Sequence, residues 1–307
     1  MKLLKILKYQ KAKLSGKKIW VFCHIQKTAG TTFQREISKV WFPSRLILPI
    51  GKLATPNREF GEKKQLEVEL IEEQKLRRVK VKLFLEESNK EVTNKGKFYL
   101  GGHRVYGLAD ELGIPVQHFS FIREPISRLV SNWFHHKDKG SSKRSDVHSD
   151  CEQFIRNSNP LAHYIQAYLT IEETTNFFLR YVERFPEHPS TSYRKFTLES
   201  RKFTPDIYSE MQKLAFSRID KAIPLITERF DDSLAILSGL MEKPLVPFEP
   251  QRVGKSSYDR DLIQEMLPDL RKLHPESTDF YNRQITRFEY LMERRSTKDA
   301  LKKIKKS

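Results

Sequence analysis

The sequence predicts an α/β fold, a three-layer sandwich with a mostly parallel central sheet and a P-loop-like turn at one strand end. Three stretches predict it. Ile19–Ile25 is a short apolar run with β-branched and aromatic members, long enough for a buried strand, and a helical pattern follows with Phe33, Ile37, Val40 and Trp41 at helical spacing. His118–Ile122 is a second such run, followed by a helix whose apolar face is Ile126, Leu129, Val130 and Trp133. Ala222–Ile226 is a third, leading through Thr227-Glu228-Arg229-Phe230-Asp231-Asp232-Ser233 into a helix over 234–241, with Asp231 or Asp232 as its cap.

The first strand and helix are joined by Gln26-Lys27-Thr28-Ala29-Gly30-Thr31-Thr32, small and hydroxyl side chains around one lysine. A strand, such a turn and a helix make an anion site, because N–H groups at the helix start point at the ligand and the helix dipole and Lys27 favour negative charge. A nucleotide-triphosphate loop has G-x-x-x-x-G-K-[ST]. Here Lys27 precedes Gly30 and no glycine opens the turn, so the loop fits one phosphate-like group rather than a triphosphate. An ordinary turn with a solvated lysine is the alternative on this loop alone.

The second strand ends at Arg123-Glu124-Pro125. Pro125 suits the first helical position, where its missing N–H costs nothing. Arg123, at the strand end beside that helix start, can clamp a second phosphate through paired charge-assisted bonds, with Arg128 and Ser131 further along the helix. A surface arginine capping a helix is the plainer alternative.

Together HIQKTAGTTF (24–33) and FIREPISRLVSNWF (121–134) resemble the two cofactor motifs of the sulfotransferases. They look most like the heparan sulfate 6-O- and 2-O-sulfotransferases and their bacterial relatives, with Gln26 standing where the 6-O type carries Gln. The resemblance implies 3′-phosphoadenosine 5′-phosphosulfate as sulfuryl donor. Its 5′-phosphosulfate would lie on Lys27, Thr28, Ala29, Gly30, Thr31 and Thr32, and its 3′-phosphate on Arg123 and Ser131. Ala29 replaces a glycine common in that family, for which a slightly tighter loop is expected. Gly101-Gly102-His103 follows strand-like Phe98–Leu100 and resembles the segment carrying the family's catalytic base, which makes His103 the expected base, against a structural histidine as the alternative. Lys27 and the N–H groups of Gly30–Thr32 would stabilise charge on the bridging oxygen and leaving phosphate, with no metal required. TERFDDSL (227–234) looks like the family's late strand and helix, and Arg252 and Lys255 could close over the 3′-phosphate.

Composition bounds the rest. The 307 residues carry a formal net charge of +17, with 38% hydrophobic and 31% charged residues. Such a field attracts anionic cofactors and polyanions but does not by itself choose among nucleic acid, sulfated glycan and membrane. With the motifs, the expected partner is an anionic glycan or glycolipid acceptor rather than nucleic acid. The rival functions are a P-loop-like small-molecule kinase and a non-enzymatic polyanion-binding protein. The two cysteines, Cys23 and Cys151, suggest neither a disulfide framework nor a zinc site and fit a reducing compartment. No apolar run approaches the ~18–20 residues that span a bilayer. Because animal members of the resembling family carry a membrane anchor, its absence points to a soluble, microbial, cytoplasmic enzyme.

In chain order, residues 1–18 are a basic lead-in, with an amphipathic helix lying on an anionic membrane as the alternative. One sulfotransferase domain is expected over 19–295, with a polar insertion near 58–97, part helix and part a strand-like alternation over Val79–Leu85. Gly140–Asp150 reads as a link, Cys151–Leu169 and Ile171–Phe185 as helices, and Pro186–Pro205 as a loop. Tyr164 and Tyr168 are core residues, or alternatively a sugar-stacking wall. His135, His136 and Asp138 are read as a solvated helix end rather than a metal site. Helices are expected over Met211–Ile219, Asp259–Leu273 and Pro275–Glu293, and 296–307 is a disordered basic tail.

Overall fold

The apolar runs become strands. In the computed structural model the described residues are 18–42, 45–48, 63–91, 97–138, 151–187, 193–244 and 260–294. Among them β1 (Lys18–Cys23), β2 (Arg45–Leu48), β3 (Lys97–Gly102), β4 (Val116–Ile122) and β5 (Ile223–Ile226) form one sheet in the order β2-β3-β1-β4-β5. The sheet is parallel and flanked by helices, which is the expected α/β class. β1 lies between β3 (Lys18↔Lys97 to Cys23↔Gly102) and β4 (Ile19↔Val116 to Phe22↔Phe119), and β2 pairs outside β3 (Arg45↔Tyr99 to Leu48↔Gly102). β1, β3 and β5 are buried almost throughout, which is why each reads as an unbroken apolar run. Pro224 is tolerated because β5 is at the sheet edge.

Gly101 and Gly102 end β3 rather than follow it. Gly102 has φ +141, and a Cβ there would lie 2.0 Å from the Leu48 carbonyl oxygen, so only glycine lets β2 approach at this point.

The helix after β1, here α1, runs through Gly30–Thr32, a π-helical segment Phe33–Ile37, and Ser38–Trp41. An i→i+5 turn holds one extra residue, so everything after it lags by a position. Trp41 is therefore buried and Val40, expected on the inner face, is 57% exposed. The remaining helices are α2 (Lys63–Glu91), α3 (Pro125–Asp138), α4 (Cys151–Arg156), α5 (Ala162–Tyr168), α6 (Ile171–Arg184), α7 (Tyr193–Phe203), α8 (Pro205–Ile219), α9 (Phe230–Met241), α10 (Arg260–Lys272) and α11 (Pro275–Met292).

Three expectations change. The strand-like alternation at Val79–Leu85 lies within the 29-residue helix α2. Pro186–Pro205 contains a helix, α7, and Pro205 opens the next one. Cys151–Leu169 is two helices, broken where the Asn159 side chain accepts from Leu161 N–H beside Pro160. Expectations for residues 1–17, 58–62, 92–96, 140–150, 251–256 and 296–307 lie outside the described residues.

The described residues gather into two compact units. The first holds 18–24, 38–120 and 162–223, where present. In it α2 packs on α6 and β2, and α5, α7 and α8 pack together. Thr170 and Glu173 form a reciprocal capping box at the start of α6. The second unit holds 25–37, 121–161 and 224–294, where present. Its core joins Ile126, Leu129, Val130 and Trp133 of α3 to Cys151, Phe154 and Ile155 of α4 and to Leu267 and Leu270 of α10.

Candidate active site

In the second unit, the turn after β1 is bent by two left-handed residues that are not glycine, Lys27 (φ 66) and Ala29 (φ 60). Thr28 between them is fully buried, and its hydroxyl donates to the Ile25 carbonyl at 2.8 Å. That bond fixes the turn from within, so Thr28 shapes the loop and offers a ligand chiefly its backbone. Turns of this kind aim successive N–H groups into one concavity. Ala29 is the N-cap of α1 and makes no side-chain cap bond, and the first backbone bond into the helix is Phe33 N–H to Ala29 O at 3.3 Å. The N–H groups of Gly30, Thr31 and Thr32 are thus the unoccupied donors that open a helix. Thr32 is buried and Thr31 half-buried.

The turn after β4 is built differently. The Glu124 carboxylate accepts from Ile126 N–H (3.1 Å), Ser127 N–H (2.8 Å) and the Ser127 hydroxyl (2.8 Å), so α3 begins with its own anion in place. An external phosphate here must rely on side chains, not on this helix start. Arg123 is 31% exposed, with its Nε 3.9 Å from Glu228 Oε1. Glu228 also accepts from Glu124 N–H (3.1 Å) and from the Tyr281 hydroxyl (3.1 Å). Ser131 is half-buried, two turns into α3. Arg128 is fully buried and donates to the Pro160 carbonyl at 3.0 Å, which makes it a structural residue. Asp231 and Asp232 do not cap α9: its N-cap, Arg229, makes no side-chain cap bond, and Asp232 instead accepts from Arg229 Nε at 2.8 Å.

In the first unit, His103 is the first residue past β3. Its ring stacks on that of His24, with centroids 4.3 Å apart, and the His24 N–H bonds the Gly102 carbonyl at 2.9 Å. His24 follows β1 rather than sitting inside it, and also stacks on Phe22. Burial pushes the His103 imidazole down to about 4, against a hydrogen bond to the His24 backbone that acts upward, and Arg77 and Arg104 press it further down. Burial, and then His103, lower His24 to about 3. Both rings are therefore neutral at pH 7. With one His103 ring nitrogen donating to the His24 backbone, the other carries the lone pair, as a base requires. The carbonyl of His103 accepts from Arg77 Nη1 at 2.9 Å, and the next residue, Arg104, is left-handed (φ 54).

A second polar cluster of this unit surrounds Tyr106. His118 stacks on it at 4.5 Å, the Arg218 guanidinium lies 4.7 Å from its ring centre, and Arg218 also pairs with Glu173. Tyr164 and Tyr168 are core residues, 0% and 1% exposed, and the Tyr168 hydroxyl lies 2.6 Å from Ser120 Oγ, which removes the sugar-stacking alternative. Cys23 and Cys151 are buried and unbridged.

β1, β3 and β4 are parallel neighbours, so their carboxyl ends share one sheet edge. β1 and β4 are adjacent in the strand order. The two motifs follow those two strands, and His103 follows β3. The sequence reading assigned no role to Glu124, Glu228 or Arg77. An acid directly before a proline at a helix start signals the first. The other two act across long sequence separations and carry no local sign.

Among the described residues no helix is long and apolar enough to cross a membrane, and no group of three His, Cys, Asp or Glu side chains is placed to hold a metal ion. No curated protein gives a significant match to the chain. Among solved structures it is similar to a crystal structure of a sulfotransferase from Alicyclobacillus acidocaldarius, at 13% identity and a TM-score of 0.34, covering 90% of this chain and 95% of that one. Residues 11–160, just under half of the chain and including Lys27, His103 and Arg123, match the model of the Sulfotransferase family.

Proposed function

We propose that the protein is a sulfotransferase that moves a sulfuryl group from 3′-phosphoadenosine 5′-phosphosulfate to a hydroxyl of an anionic glycan or glycolipid. The observation that carries this reading is the turn at 25–32. It is bent by left-handed Lys27 and Ala29, locked by the Thr28–Ile25 bond, and opens α1 with donors that no side-chain cap takes. A single phosphate-sized anion suits it. The family match over 11–160 supports sulfuryl transfer as the class of reaction. The motif residues, with Gln26 in the place characteristic of the 6-O type, support the donor and a carbohydrate acceptor, and the charge of +17 supports an anionic one.

The donor supplies an activated sulfuryl group on a nucleotide phosphate that can leave. Lys27 and the N–H groups of Gly30, Thr31 and Thr32 would hold that phosphate end and stabilise the charge that develops there. Arg123 and Ser131 would hold the 3′-phosphate and so tell this nucleotide from its 3′-dephospho form. His103 would remove the acceptor hydroxyl's proton through the ring nitrogen not bonded to His24, a contribution of roughly 10²–10⁴-fold. Its low affinity for protons keeps it neutral and ready at pH 7.

The experiment is a radiolabelled-donor assay against a panel of polysaccharides and glycolipids, run beside His103→Ala. Label should enter a sugar hydroxyl, and the variant should lose turnover while still binding 3′-phosphoadenosine 5′-phosphate by calorimetry. Label confined to a protein tyrosine or a small phenol would refute the acceptor class. Stabilisation by ATP·Mg with none by the bisphosphate nucleotide would refute the donor.

A further inference from the structure

We propose that Arg77 of α2 is a positioning residue for His103: anchored on Glu73, it grips the His103 carbonyl and so fixes the turn that presents the imidazole. This rests on the reading of His103 as the base and gives the long polar helix a task in it.

Arg77 is 4% exposed, and its Nε donates to Glu73 Oε1 at 2.8 Å, one turn earlier on the same helix. Its Nη1 donates to the His103 carbonyl at 2.9 Å, across 26 residues of sequence. A buried guanidinium is costly unless its charge and N–H groups are met, and a carbonyl at a turn can be satisfied by water. Burying an arginine there supplies rigidity that a simple turn does not need. The bond falls on a sensitive atom. The His103 carbonyl belongs to the same peptide plane as the Arg104 N–H, so holding it fixes the backbone rotation into Arg104, whose left-handed φ of 54 is unfavourable for a side chain with a Cβ. Released, that peptide can rotate, and the His103 Cα that carries the imidazole is no longer held in one place. The helix itself is held in place by packing on α6 and by Gln74, which reaches Glu172 at 3.5 Å. Arg77 also adds a positive charge beside the imidazole, which favours its neutral, proton-accepting form.

The fork geometry explains why arginine stands here. Lysine keeps the charge but cannot bridge a carboxylate and a carbonyl from one planar group. The test compares full-length wild type, Arg77→Lys and Arg77→Gln. The ring resonances of His103 and His118 are followed against pH by NMR, and kcat and KM are measured where transfer is detected. In Arg77→Gln the His103 midpoint should rise toward the ordinary histidine value. The His118 midpoint should stay put, because burial and Arg218 set it. In Arg77→Lys the midpoint should move less, while the ring shifts still report a displaced imidazole. kcat should fall on the order of tenfold to a hundredfold in Arg77→Gln with KM little changed, as misplacement of a reacting group predicts. A wild-type His103 titration in Arg77→Gln overturns the proposal, and so does an equal displacement of His118, which would mean general loosening. The titrations need no substrate, so they decide the grip of Arg77 even if no sulfuryl transfer is found.

Discussion

Ala29 sets a problem at the scale of one residue. Its φ of 60 brings its Cβ against the backbone, a cost of roughly 1–2 kcal/mol for an L-residue. Glycine would relieve it and give back roughly 0.5–1 kcal/mol as extra freedom of the unfolded chain. Ala29→Gly should therefore stabilise the protein by about 0.5–1 kcal/mol, read as a higher urea midpoint at unchanged slope. A lower midpoint would show that the methyl group packs usefully. The substitution for glycine was visible in the sequence, and the structure adds that Ala29 sits in the left-handed region, where a Cβ is strained. Arg123 poses a question of chemistry. A guanidinium meant for the 3′-phosphate should matter only when that group is present. Arg123→Ala should weaken binding of 3′-phosphoadenosine 5′-phosphate by roughly 1.5–3 kcal/mol, as loss of a hydrogen bond to a charged group does, and barely affect adenosine 5′-phosphate. Calorimetry with both nucleotides checks it, and equal losses would remove Arg123 from the 3′ clamp.

At the scale of elements, what could be read from the sequence depended on whether burial alone chose the side chains. β1 and β5 and the second half of β4 are buried, so their side chains are mostly apolar, and the turns after β1 and β4 stand out as small or charged residues after such runs. α2 misleads because residues two apart on a helix point to opposite sides. Val81 and Leu85 are buried while Val79 and Leu83 are half exposed, so apolar residues on two sides of the helix spell in the sequence the every-second-residue pattern of a strand. Its inner face also includes buried Gln74, Arg77 and Ser88, so the apolar stripe that marks a helix is broken by polar groups with long-range partners. Among the described side chains of α7 the buried ones are Phe196, Thr197 and Ser200, with Ser200, and Thr204 just after the helix, bonding carbonyls of the preceding turn, and that composition resembles a loop. The π-helical segment of α1 left no mark that separates Val40 from Trp41. Of the candidate site, the residues proposed to act through their own chemistry, Lys27, His103 and Arg123, stand in local motifs that the sequence displays, and Glu124 is signalled by the proline after it. Glu228 and Arg77 carry no such sign, because their partners lie far along the chain.

For the molecule as a whole, three partly buried imidazoles tie stability to pH. His24 is held at about 3 and His103 and His118 at about 4, each chiefly by burial and each below the ordinary value of 6.5. Between the folded and unfolded values the unfolded chain binds more protons, so stability rises with pH there and is lost as pH falls from about 6.5 toward 4. The melting temperature should be level above pH 7 and drop steeply below 6. His118→Phe keeps a ring against Tyr106 and removes one titrating group whose Nε2 is buried without a hydrogen bond. It should flatten part of that slope, and a slope identical to wild type would rule His118 out as a contributor.

The carboxylate of Glu228 is shared three ways, and this has a bearing on how an arginine can be both settled and available. If Arg123 swings to an arriving phosphate, Glu228 keeps the Glu124 amide and the Tyr281 phenol as donors. The anion left behind is still solvated by the protein, so the exchange of partners strands no charge. The guanidinium can thus be lent without dismantling its resting place, which is what the proposed grip on a 3′-phosphate would require if it is to close and reopen.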